Sequence, residues 1–146
     1  MRSVRSLLVV TGSVLALAVF ASSVSLAADA PVYLLITKEC SQFHGHVGDF
    51  CTVTSSTFPG IPIGTKATYF GPEINDPNYL SSVVVLNAGH GNRATGYCSL
   101  LIPVGGTCSF WEGTGTLAGF HAAVQVTSTD GLNFTWTGSY RLDHRR

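Results

Sequence analysis

Four cysteines are the residues of this chain whose spacing most clearly predicts chemistry. Cys40 and Cys51 lie symmetrically about Gly45-His46, a dipeptide suited to a two-residue hairpin turn, and Cys98 and Cys108 flank a second Gly/Pro-containing turn. Each pair could therefore face each other across a hairpin, close enough to form a disulfide. Zinc is the competing use of four cysteines, but the chain has no C-x-x-C knuckle. The spacing predicts two disulfides, Cys40–Cys51 and Cys98–Cys108.

Histidines are the other candidate metal ligands. His44 and His46 would share a strand face, and together with His90 or His121 they could ligate a metal ion. The hairpin predicted from the cysteines instead places Gly45-His46 in a turn, where His44 and His46 would both face solvent. We therefore expect no metal site and no cofactor.

Glu112 is the charged residue whose position raises the possibility of an interior role. Alternation places Cys108, Phe110 and Glu112 on one face of a strand. A Glu112 carboxyl inside an apolar barrel would have a raised pKa and could act as a general acid. The alternative places Glu112 at the barrel rim beside Gly113, in contact with water, and this alternative is favoured. With no G-x-S-x-G elbow and with oxidised cysteines, nucleophilic catalysis has no candidate residue.

The composition limits the kinds of protein that this chain can be. It has 146 residues, of which 11% are charged and 45% hydrophobic, with 8 Lys and Arg against 8 Asp and Glu. The length fits one domain. The charge balance excludes a basic nucleic-acid-binding surface, and the high apolar content excludes a disordered chain.

The first residues have the pattern of a secretory signal peptide. Arg2 and Arg5 precede an apolar run over 7–20, and Ser25-Leu26-Ala27 supplies a cleavage site. The alternative is that this apolar run is a membrane anchor. No other stretch of the chain approaches the roughly 18 apolar residues that span a bilayer. We expect cleavage after Ala27, which leaves a domain at 28–146 with six basic and eight acidic residues, secreted to the periplasm or the exterior.

The rest of the chain alternates like a series of short strands. On 134–142 the apolar face carries Phe134, Trp136, Tyr140 and Leu142, and 120–127 alternates in the same way. Asp130-Gly131 joins these two runs as a hairpin signal. Such strands can form a two-sheet sandwich or a closed barrel, and composition leaves both open. The other candidate strands are 32–38, 48–55, 66–71, 83–86, 93–102 and 107–112.

A family resemblance favours the barrel. The segment 106–122, with its Gly113-Thr114-Gly115-Thr116-Leu117-Ala118-Gly119 turn, resembles the G-T-G-x-[FL]-x-G signature of the allene oxide cyclase-like and dirigent-like proteins. The segment 135–140 is similar to the W-x-G-[ST]-Y end of their small secreted members, and 48–52 and 61–66 resemble their early strands. The resemblance implies a calycin-like, eight-stranded antiparallel β-barrel with a hydrophobic cavity. In the family such cavities bind small apolar molecules, or hold a reactive intermediate while it cyclises or couples.

The resemblance supplies no catalytic residues beyond two weak analogues. Only Asp49 and Glu112 correspond to the acidic residues that dirigent proteins place in the cavity. The inward-facing apolar positions could form either a ligand-binding wall or a packed core. These positions are Phe110, Phe120, Ala122, Trp136 and Tyr140.

Three functions fit these observations. The leading hypothesis is a secreted barrel that binds a small hydrophobic molecule in its lumen. The alternatives are a cyclase- or isomerase-like enzyme that acts through the shape of its cavity, and a structural or interaction module with a filled core that uses a surface loop such as Gly71 to Tyr79. A cavity volume would separate the last hypothesis from the other two. No nucleic-acid partner and no membrane span are expected, and the oligomeric state is left open.

Overall fold

A computed structural model describes residues 30–73, 78–101 and 104–143 of the chain. The predicted signal peptide at 1–27 and the centre of the 71–79 loop lie outside these residues. Within them, no helix has the length and apolar character needed to cross a membrane. The strands are β1 Val32–Glu39, β2 Phe50–Ser56, β3 Lys66–Glu73, β4 Tyr79–Asn87, β5 Arg93–Leu101, β6 Gly105–Thr114, β7 Phe120–Ser128 and β8 Asn133–Leu142.

These strands form a closed antiparallel barrel in which each strand pairs with its neighbours in sequence. The barrel closes because β1 pairs with β8 along its whole length, from Val32 opposite Tyr140 to Glu39 opposite Asn133. The eight-stranded barrel is therefore confirmed, and the sandwich is not formed. Closure gives each strand a neighbour on both sides, so the barrel has no edge strand of the kind that promotes strand-to-strand aggregation.

Alternation of side chains creates the interior, as the sequence predicts. On β7, Phe120, Ala122, Val124 and Val126 are buried, while the residues between them are largely exposed or half-buried. The run 83–86 is apolar on both faces in the sequence, which predicts a strand that is covered on both sides, but Val83 is 39% exposed on the outer face of β4.

The turn before β7 closes one end of the barrel. A one-turn 3-10 helix at Gly115–Leu117 inserts Leu117, which is fully buried, into the interior. Gly113 lies so close to the Leu117 carbonyl that a Cβ there would collide with it, and Gly119 has a positive φ of 74°. The glycines of the family-like signature are thus explained by backbone geometry. We call this the Leu117 end, where β2, β4, β6 and β8 finish.

The opposite end, where β1, β3, β5 and β7 finish, is called the Lys38 end. The predicted disulfide Cys40–Cys51 lies here and links the end of β1 to β2. The second predicted disulfide, Cys98–Cys108, joins residues directly opposite each other on β5 and β6. Both predicted pairings are present.

The connection beneath the first disulfide differs from the expected two-residue hairpin. Strand pairing stops at Glu39 and Thr52, so residues 40–49 form a longer loop in which Gly45 and Gly48 have positive φ. The symmetric spacing of Cys40 and Cys51 predicts their pairing correctly, because it requires only that the two strands face each other. It does not determine the shape of the turn between them.

Candidate functional site

Aromatic rings fill the interior at the centre of the barrel and towards the Leu117 end. The Phe58 ring stacks on Phe120 at 5.5 Å and packs at a tilt against Tyr140 at 4.3 Å between ring centroids. Phe110 packs against Trp136 at 5.4 Å. Four of the five positions predicted as ligand wall or packed core therefore contact one another through their rings, and this part of the lumen is occupied by the protein's own side chains.

The fifth predicted position, Ala122, lies where β6 and β7 separate. Their pairing ends at Phe110 and Ala122, and beyond it the two strands diverge towards the 3-10 turn. The divergence leaves an open groove of about 580 Å³ on the outside of the barrel. The groove is lined by Trp111, Glu112, Gly113, Ala118, Gly119, His121 and Asp143.

Glu112 belongs to this outer groove and not to the lumen. Gly96 pairs with Phe110 but Thr95 pairs with Glu112, so Trp111 is an extra residue that forms a bulge. The bulge resets the alternation, and both Trp111 and Glu112 are exposed. The expectation that Glu112 shares a face with Phe110 is wrong for this reason, and the residue lies at the rim, as the favoured alternative has it.

Ion pairs on the rim of the groove involve Asp143. Its carboxylate lies 3.2 Å from His121 Nε2 and accepts a hydrogen bond from Arg141 Nε at 2.9 Å. The Arg141 hydrogen bond is the main reason why the pKa of Asp143 is lowered. All three side chains are partly exposed to water, where such pairs contribute little to stability.

Asp49, the other acidic candidate, organises the 40–49 loop. Its carboxylate accepts backbone hydrogen bonds from the amides of His44 at 2.7 Å and His46 at 2.9 Å. These bonds favour the ionised form and lower the pKa of Asp49. Both histidines are exposed, and in the described ranges no three His, Cys, Asp or Glu side chains are grouped as a metal site would require.

The most unusual side chain of the interior is Lys38, near the end of β1. Leu34, Ile36 and Lys38 follow the same inward alternation, and Lys38 is only 2% exposed. Its Nζ donates a hydrogen bond to the Tyr69 hydroxyl at 2.5 Å. It also lies 3.5 Å from Cys51 Sγ and 4.9 Å from the centroid of the Trp136 ring. A lysine amine is therefore held among a phenol, a disulfide and aromatic faces.

Burial changes the ionisation of both members of this pair. Among the side chains that the structure describes, no carboxylate lies within salt-bridge distance of Lys38. Because water is excluded and no described counter-ion replaces it, the pKa of Lys38 is lowered to about 7. Burial also raises the pKa of Tyr69, so its hydroxyl keeps its proton. A titrating amine next to a persistent hydroxyl donor is the kind of pair that occurs at functional sites.

A small cavity lies against this pair and is covered by the 40–49 loop. Its volume is about 10 Å³. The cover is Phe43, a half-buried residue whose ring meets Tyr69 edge-on at 5.0 Å. The cavity is lined by Lys38, Cys40, Phe43, Cys51, Tyr69, Leu80, Leu100 and Phe134. We call this set the Lys38 pocket.

Neither Lys38 nor Tyr69 was predicted as a site residue from the sequence. The alternation pattern nevertheless indicates that Lys38 is buried. Lys38 continues the inward phase of Leu34 and Ile36 and is followed in the same phase by Cys40. A lysine in phase with apolar residues over a whole strand predicts a buried amine. The partnership with Tyr69 depends on strand pairing across β2 and cannot be obtained from local pattern alone.

A scan against protein-family models and a search of curated proteins give no match to this chain. The case for function therefore depends on the geometry of the chain itself.

Proposed function

We propose that this protein is a secreted barrel that binds one small, largely apolar molecule at the Lys38 end of its interior. The polar head of the molecule would meet the Lys38 amine and the Tyr69 hydroxyl. The observation that carries the proposal is a lysine amine that is 2% exposed and has no described carboxylate partner. The two disulfides support the secreted location, since they persist in oxidising compartments.

A barrel that only had to pack its core would be more stable without such an amine. Burying an amine without a counter-ion destabilises the fold, whereas a leucine or methionine at the same position would pack without that penalty. A second polar group in the same region is also incompletely satisfied: Trp136 Nε1 is buried and has no hydrogen-bond partner among the described residues. Buried polar groups that lack partners often mark sites that a ligand completes.

The size of the Lys38 pocket restricts how a ligand can enter. A volume of about 10 Å³ accommodates roughly one water-sized group, such as a head-group oxygen. The apolar remainder of the molecule must take the place of Phe43. Phe43 can be displaced at moderate cost, because it lies on a loop and is only partly buried.

The structural or interaction module is the second candidate, and the filled lumen favours it. The Phe58, Phe120 and Tyr140 rings pack against one another inside the lumen at the Leu117 end. The cyclase-like alternative has less support, because Asp49 and Glu112 both lie outside the lumen. A relationship to the allene oxide cyclase-like family remains part of the proposal through the glycine turn and the barrel.

Binding of 1-anilinonaphthalene-8-sulfonate tests the proposal, because this dye combines an apolar ring system with one polar head. We expect micromolar binding by the wild type, at least about tenfold weaker binding by Lys38→Met, and tighter binding by Phe43→Ala. Ala122→Phe is the matched control at the other half of the lumen and should leave the affinity unchanged. Folding of each variant is checked by circular dichroism.

Two results would contradict ligand binding at this end. Equal affinity of wild type and folded Lys38→Met would place the dye elsewhere. Absence of binding by both the wild type and Phe43→Ala would favour the structural module.

A further inference from the structure

We propose that Lys38 captures the carbonyl carbon of a small apolar aldehyde and forms an imine with it inside the Lys38 pocket. This inference rests on the proposed function, since it names the chemical class of the molecule that would bind there. It adds a covalent step that simple binding does not require.

The Lys38 amine is available in its nucleophilic form. The side chain is enclosed by Tyr69, Phe134, Trp136 and the Cys40–Cys51 disulfide. No described carboxylate lies near enough to stabilise the protonated form of the amine. Desolvation of this kind leaves about half of the amine neutral at pH 7, whereas an ordinary exposed lysine is less than about 0.1% neutral. Lysines that form imines in proteins are commonly activated by such an apolar pocket.

The elements packed around the amine contribute mostly apolar side chains. Leu80 of β4, Leu100 of β5, Phe134 of β8 and Phe43 of the loop are apolar, and the two cysteines are oxidised. Tyr69 of β3 is the titratable neighbour, and its hydroxyl is 2.5 Å from Nζ. Because burial raises its pKa, Tyr69 remains a proton donor at the pH where the amine is neutral.

The size of the pocket fits a carbonyl group. The cavity beside Lys38 holds about one small polar group, which is enough space for an aldehyde oxygen. An apolar tail would then lie where Phe43 lies now. Thiols, which also attack aldehydes, do not compete, because all four cysteines of the chain are in disulfides.

The chemistry balances without an external oxidant or reductant. The nitrogen lone pair attacks the carbonyl carbon, a C–N bond forms, and the carbonyl oxygen takes a proton from Tyr69. The positively charged nitrogen then returns one proton to the Tyr69 phenolate, which restores the phenol. The neutral carbinolamine loses its remaining N–H proton together with the hydroxyl group as water, and the C=N bond forms. The net reaction converts one aldehyde and one amine into one imine and one water.

The sequence provides an internal control, because it contains only two lysines. Lys66 is exposed, and its Nζ lies 4.2 Å from the centroid of the Phe50 ring. We would incubate the full chain with butanal and sodium cyanoborohydride, which delivers hydride to the imine carbon and fixes it as a secondary amine. Peptide mass mapping then reports the butyl adduct at each lysine separately and distinguishes both from the terminal amine.

At pH 7 we expect the adduct at Lys38 to exceed that at Lys66 by about tenfold or more. Because cyanoborohydride reduces the protonated imine at either lysine, the ratio of the two adducts is compared across pH. The Lys38-to-Lys66 ratio should be highest near pH 7 and should fall towards pH 10, where an ordinary lysine also loses its proton. Tyr69→Phe should slow labelling of Lys38 several-fold and leave Lys66 unchanged. Phe43→Ala should accelerate labelling of Lys38, because the alkyl chain of butanal can then occupy the space left by the Phe43 ring.

If Lys66 is labelled as much as or more than Lys38 at pH 7, the proposal that Lys38 forms the imine is wrong. The dye titration performed on the same preparation distinguishes this failure from failure of the proposed function. If the dye still binds and depends on Lys38, the pocket binds molecules non-covalently. If neither dye nor aldehyde reaches Lys38, the proposed function fails as well.

Discussion

The two ends of the barrel are built from the same strands but enclose different chemistry. At the Leu117 end, Leu117 and Ile61 are fully buried and Phe58 inserts between aromatic neighbours, so the packing is mainly between apolar and aromatic surfaces. At the Lys38 end, an amine and a phenol are enclosed beneath a single half-buried ring. The first end is optimised for packing. The second end carries polar groups that reduce packing stability, and this contrast is the reason why we propose the binding site there.

Truncation at the Leu117 end should have the largest effect on stability. Phe120→Ala removes a fully buried ring that packs against Phe58, Phe110 and Tyr140, and we expect a loss of about 3–5 kcal/mol in the free energy of unfolding. Chemical denaturation measures this loss. Thr127→Ala on the outer face of the same strand should change stability by less than about 0.5 kcal/mol. A similar loss at both positions would mean that the outer face of β7 is also covered.

Protonation at the Lys38 end should produce the next largest effect. The lowered pKa of Lys38 means that between about pH 7 and pH 10 the unfolded chain holds a proton that the folded chain lacks. The free energy of unfolding should therefore rise with pH in this window, by up to about 1.4 kcal/mol per pH unit. Above pH 10 the raised pKa of Tyr69 acts in the opposite direction, because the unfolded phenol ionises first.

Lys38→Met is the control for this pH dependence. The variant should show little rise in stability between pH 7.5 and 9.5 and should be at least as stable as the wild type at pH 7, since methionine fills similar space without a charge. Urea denaturation at several pH values measures both curves. Parallel curves for the two proteins would show that the Lys38 amine is solvated in the folded state and would remove the contrast between the ends.

Opening the cover of the Lys38 pocket should have the smallest effect on stability. Phe43→Ala removes a half-buried ring on a loop, and we expect a loss of about 1 kcal/mol, well below that at Phe120. In this variant water should reach the Lys38 amine, so the free energy of unfolding should rise less between pH 7.5 and 9.5 than it does in the wild type. Thermal denaturation at pH 7 and pH 9 checks both expectations. An unchanged pH dependence would show that Phe43 does not shield Lys38.

The strands of the barrel were predictable because alternation is a local property. The apolar face of β8 and the hairpin at Asp130-Gly131 both follow from neighbouring residues, and in the structure the Asp130 carboxylate accepts hydrogen bonds from the Leu132 and Asn133 amides. The disulfides followed for the same reason. Closure of the barrel did not follow from alternation, since a sandwich produces the same pattern, and the resemblance to known barrels decided it.

The contents of the lumen could not be predicted from the strands. Phe58 lies in the connection between β2 and β3, yet its ring fills the space between Phe120 and Tyr140. Whether a barrel is hollow depends on such insertions, which no alternation shows. The bulge at Trp111 is a second example. One additional residue turns Glu112 to the outer face of the barrel, and nothing in the neighbouring sequence indicates this change.

The pairing of β1 with β8 also constrains how the chain folds. It brings residues about one hundred positions apart into register, such as Ile36 opposite Trp136, whereas the two disulfides span separations of only 11 and 10 residues. Each disulfide links neighbouring strands, so neither shortens the search for this distant pairing. The meander can thus form step by step from local hairpins, but burial of Lys38 and Trp136 must wait until the first and last strands meet. The final closure, and not the formation of individual hairpins, is the event that excludes water from the amine.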